Sequence, residues 1–81
     1  MPTVHRENGF ILFIYPGDHG QPHVHVLKAG GQAKIFIGVE GESPTFDWVS
    51  DEMSDKDARR ALELVRENKA KLLEGWRRYC E

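Results

Sequence analysis

The chain has 81 residues, 40% hydrophobic and 30% charged, which suits one soluble globular domain and excludes a disordered or fibrous protein. Its net charge of -2 gives no general attraction to nucleic acid. The single cysteine, Cys80, excludes a disulfide framework and, with an N-terminus unlike a signal peptide, points to a reducing cytoplasm.

The first predicted strand is 9–15 (Gly-Phe-Ile-Leu-Phe-Ile-Tyr), β-branched and aromatic on both faces and bounded by Asn8-Gly9 and Pro16-Gly17. Its apolar part, Phe10–Tyr15, is the longest apolar run, far short of the roughly 20 residues that span a bilayer, so no membrane partner is expected. A loop from Pro16 to Pro22 leads to a second strand, 23–28, where Val24 and Val26 face one way and His23, His25 and Leu27 the other. Ala29-Gly30-Gly31 is a hairpin signal. The third strand, 32–37, puts Ala33, Ile35 and Ile37 on one face with Lys34 opposite, and a short fourth strand follows at 45–49.

The period then becomes helical. Ser54 reads as an N-cap with Asp57 three residues on, and Ala58, Ala61, Leu62, Val65, Leu72, Leu73, Trp76 and Tyr79 form the apolar stripe, interrupted only by Asn68 and Lys69. One helix over about 55–79 is predicted, with Gly75 a weak point near its end. At ~1.5 Å per residue it is about 37 Å long, enough to overhang the sheet. A core this small favours a homodimer or a hetero-complex, expected to bury Trp76 and Tyr79. The fold expected is α+β: an antiparallel three- to four-stranded meander with one long C-terminal helix across one face, 1–81 being a single domain. Acidic residues from Glu40 to Asp57 and basic ones from Arg59 to Arg78 complement a helix dipole, or leave a basic edge facing RNA or a partner.

Function points to Asp18-His19-Gly20-Gln21-Pro22-His23-Val24-His25, which holds three of the 4 histidines. Three readings compete. The histidines are structural, in a non-enzymatic binding or regulatory module. Alternatively, Asp18, His19, His23 and His25 supply ligands for a divalent metal such as Zn²⁺, Ni²⁺ or Mn²⁺, two imidazoles on one strand face being joined by a loop ligand. In the third, His19, His23 and His25 work as general acid and base on an RNA phosphodiester, with Lys34 or Lys28 stabilising the developing charge.

The remaining singular residues carry less. Trp48 and Trp76 read as packing anchors, Tyr15 as a core residue with a bonded hydroxyl, Cys80 as unreactive and His5 as a residue of the terminus. There is no P-loop, no Gly-x-Gly-x-x-Gly and no Gly-x-Ser-x-Gly.

The chain resembles the small bacterial domain-of-unknown-function family 4160. The resemblance rests on Met1-Pro2-Thr3-Val4, Asp18-His19-x-x-Pro22-His23-x-His25-Val26, Ala33-Lys34-Ile35 and Leu72-Leu73-Glu74-x-Trp76. The family's frequent Pro-Pro before the second histidine is Gln21-Pro22 here. Members are often encoded beside another small protein, so the resemblance implies a partner from a neighbouring gene and a toxin–antitoxin-like pair.

Overall fold

Five strands form one antiparallel sheet in the order β1 (Thr3–Glu7), β2 (Phe10–Phe13), β3 (His23–Lys28), β4 (Gly31–Phe36) and β5 (Thr45–Val49), followed by helices α1 (Asp55–Glu67) and α2 (Lys69–Cys80). The computed structural model describes residues 2–80; Met1, which opens the family-like N-terminal motif, and Glu81 lie outside them. The α+β class and the antiparallel meander are as expected, but the sheet has one strand more than predicted and the helix is two.

The extra strand is β1. Asn8 and Gly9, at φ 50° and 83°, form a two-residue turn with both residues left-handed, the geometry that matches strand twist in hairpins. It folds Thr3–Glu7 back on β2, with His5 opposite Leu12 and Glu7 opposite Phe10. Ala29 and Gly30, at φ 48° and 85°, repeat the device between β3 and β4. The predicted strand 9–15 is shorter than expected, because Ile14 and Tyr15 already belong to the connection that returns to β3.

β1 is held to the helices by polar contacts. Lys71 Nζ donates to His5 Nδ1 at 3.0 Å, His5 Nε2 donates to Glu7 Oε1 at 3.0 Å, and Arg60 donates to Glu7 Oε2 at 3.0 Å. The Glu7 carboxyl lies below its ordinary pKa, first through the hydrogen bond from His5 and then through the Arg60 charge. His5 is thus a connector between strand and helices and not merely a residue of the terminus.

The single long helix is interrupted at Asn68, at φ -112° and ψ 22°. Its side-chain amide and its backbone N–H both donate to the Leu64 carbonyl, at 2.9 and 3.0 Å, the local competition with helical bonding that Asn favours. A straight 25-residue helix of about 37 Å would also outrun the longest dimension of the fold, 31 Å. With the break, α1 lies against β4 and β5 while α2 lies against β1.

The helices pack on one face, and Trp76 of α2 also meets the His23 ring. Leu12, Ile14, Val24, Val26, Ala33, Ile35 and Ile37 project from the sheet side into a core shared with Ala61, Leu64, Val65, Leu72 and Trp76. Each fully buried Leu, Ile or Val contributes about 1.5–3 kcal/mol of transfer free energy. A Cβ on Gly75 would lie 3.1 Å from a Val4 methyl, so this glycine permits close approach of α2 to β1. No helix among the described residues is long and apolar enough to cross a membrane.

Candidate functional site

Strand alternation sets the site. Val24 and Val26 are fully buried against the helices, which turns His23 and His25 to the sheet's other face. The returning loop supplies the third group. Gly17 N–H donates to the Tyr79 carbonyl at 2.9 Å and Asp18 N–H to the Tyr15 carbonyl at 3.3 Å, so the last turn of α2 fixes the segment carrying Asp18. On the far side Ile37 N–H donates to the Pro22 carbonyl at 2.9 Å, anchoring the entry to β3.

His23 is buried, and both of its ring nitrogens face oxygens. Nδ1 donates to the Gln21 carbonyl at 2.9 Å, while Nε2 lies 2.9 Å from Asp18 Oδ2. His25 Nε2 is 3.9 Å from the same carboxylate oxygen. One ligand atom from each of Asp18, His23 and His25 falls within 4.8 Å of the others. Two ligands of a tetrahedral ion at ~2.0 Å stand about 3.3 Å apart. The distances of 2.9 and 3.9 Å straddle that separation.

The two rings are walled by aromatics. His23 lies 4.7 Å from the buried Trp76 ring, centroid to centroid, and 6.4 Å from Phe36. His25 stacks on Phe13 at 5.4 Å, meets Tyr15 edge-on at 4.7 Å and lies 6.4 Å from Trp48. Burial depresses the His25 pKa below the ordinary value; His23 and Lys34 push the same way and Asp18 opposes them. The balance favours the neutral imidazole, the form in which histidine ligates metals.

Of the predicted site residues, Asp18, His23 and His25 are brought together. His19, expected as a ligand or an acid–base group, is exposed and is not one of the three clustered residues. Lys34 stands directly opposite His25 in the β3–β4 register, on the histidine face, and pairs with Asp47 at 3.1 Å. Lys28 is instead drawn to the β1–β2 turn, donating to the Asn8 carbonyl at 2.7 Å. Trp76 is a packing anchor as expected, but one buried within its own chain, so it is not left over for an interface. Trp48 and Tyr15, expected to pack, are 42% and 45% exposed beside His25. Cys80 Sγ donates to the Tyr15 carbonyl at 3.5 Å. A groove between α2 and the loop before β5 shares Pro22 and Trp76 with these surroundings but none of the three clustered residues.

Fold and cluster together define a small α+β domain bearing an Asp-His-His group on the open face of a sheet. The chain belongs to the family described as Domain of unknown function (DUF4160), whose model matches residues 9–77, from the turn before β2 to α2. Neither curated proteins nor solved structures give a match.

Proposed function

We propose that this domain binds one divalent transition-metal ion through Asp18, His23 and His25, with at least one coordination position left for water or substrate. The observation that carries the reading is the bonding of His23. The Gln21 carbonyl can only accept, so the Nδ1 proton is spent there and Nε2 confronts the Asp18 carboxylate. Nε2 and the Asp18 carboxyl are thereby aimed at one another at 2.9 Å, as two ligands of one cation would be. An outward Nδ1–H to carbonyl bond is the support that metal-bound imidazoles ordinarily have, fixing both tautomer and ring plane. Two imidazoles and one carboxylate suit Zn²⁺, Ni²⁺ and Mn²⁺, and they are also the donor set of open iron(II) sites.

Bound metal would supply Lewis acidity and a water acidic enough to ionise near neutral pH. The chain's own residues orient the ligands, and Phe13, Tyr15 and Trp76 shield them from bulk water. Calorimetric titration of Zn²⁺ into chelator-treated protein should give one ion per chain, and His23→Phe should abolish it while retaining the packing on Trp76. Native protein with no saturable binding, yet RNA cleavage that persists in chelator, would replace this reading with acid–base chemistry by His23 and His25. Family resemblance supports one further proposal, that the domain works with a protein from a neighbouring gene in the manner of a toxin–antitoxin pair. Co-expression tests it: the neighbour's product should co-purify and change the growth effect of this chain, and neither occurring would refute it.

A further inference from the structure

The face of the sheet opposite the helices carries a row in register from strand to strand: Phe13 on β2, His25 on β3, Lys34 on β4 and Trp48 on β5. Neighbouring strands are ~4.8 Å apart, so these four side chains form one continuous strip. Lys34 is its cation beside His25, and Trp48, 42% exposed, is the flat apolar surface next along. Tyr15, 45% exposed and 4.7 Å from the His25 ring, flanks the cluster on its other side. Anion-binding chemistry thus adjoins aromatic surface accessible to a planar ring.

We propose that this strip binds a nucleoside phosphate, its phosphate oxygens on the metal ion and Lys34 and its base stacked on Trp48; the inference rests on the metal reading above. The net charge of -2 supplies no long-range attraction, so affinity must come from these local groups. Lys34 is paired with Asp47 at 3.1 Å, yet both are part-exposed, and ion pairs of this kind are weak enough for a phosphate dianion to compete. A free nucleotide and a residue of a single strand present the same chemistry, and the test separates them.

Zinc-loaded protein is titrated with uridine monophosphate, inorganic phosphate and a short single-stranded oligouridylate, while the indole N–H resonance of Trp48 is followed by NMR. Uridine monophosphate should bind roughly 5- to 150-fold more tightly than inorganic phosphate, the range a base–aromatic stack supplies. Trp48→Ala should erase that difference, and Lys34→Gln should weaken both ligands by at least about tenfold. Tighter binding of the oligouridylate would assign the strip to single strands; equal binding would assign it to free nucleotides. If zinc binds but uridine monophosphate does no better than phosphate, or Trp48→Ala leaves the difference intact, the nucleotide inference is overturned and the metal site stands. If zinc does not bind, the metal reading falls and this one with it.

Discussion

Asp18→Asn separates the structural work of the cluster from its ligand work, because it keeps the shape of the side chain and removes its charge. Asp18 Oδ2 lies 2.9 Å from His23 Nε2 and 3.9 Å from His25 Nε2. The Asp18 side chain is 37% exposed, so solvent screens much of its charge. Replacing a charge-assisted bond by a neutral one there should cost about 0.5–1.5 kcal/mol. For a domain of this size that lowers Tm by about 2–12 °C. On the proposed metal reading, zinc should have the larger effect in the native chain. Free Zn²⁺ at about a hundred times Kd adds about 2.7 kcal/mol, or about 11–22 °C in Tm, and the Asn variant should lose most of that gain. Circular dichroism melts with and without Zn²⁺, against a chelator control, read both numbers. An Asp18→Asn protein that keeps the full zinc-induced shift would show that the carboxylate is not a ligand.

Other expectations follow from the same geometry. His25 is held below its ordinary pKa of 6.5, so the unfolded chain takes up its proton first as pH falls; stability is complete above that value and declines as pH drops through it. Urea denaturation in chelator at about pH 7.5 and about pH 5.5 should show this decline, and His25→Gln should make it shallower. Leu64→Ala, at a fully buried position under the sheet, should cost about 2–5 kcal/mol in chemical denaturation; a negligible cost would mean that α1 is not docked. Gly31→Ala would set a Cβ 2.6 Å from the Met53 backbone and should cost more than the ~1–3 kcal/mol usual for overpacking, since backbone must move.

Local pattern made much of this legible in the sequence. Period-two alternation in 23–28 separated the valines from the histidines, and the prolines on either side marked a short loop able to carry Asp18 back to them. Thr3–Glu7 was hidden because Thr-Val-His-Arg-Glu has one aliphatic residue, and its strand character comes from pairing with β2. Asn8-Gly9, which bounds the strand at 9–15, is also a two-residue hairpin signal and the one local mark of this pairing. Asn68 and Lys69 were visible as gaps in the apolar stripe, but a gap does not say whether a helix bends or continues. His19 shows the opposite failure. Its spacing resembles a ligand's, yet which loop side chain turns inward is decided by the bonds of Gly17 and Asp18, not by residue type. Trp76 beneath His23 joins elements remote in sequence and has no local signature.

The bond from Gly17 to the Tyr79 carbonyl also has a temporal meaning. It joins residue 17 to residue 79, so the segment carrying Asp18 gains this anchor only when the last turns of α2 are docked. Contacts so distant along the chain form late and slowly. The placing of the Asp18 carboxylate beside the two histidines is therefore coupled to the docking of the last turns of α2. On the metal reading proposed above, zinc added during refolding should leave the early rates unchanged while slowing unfolding, because the complete ligand set exists only once α2 is docked.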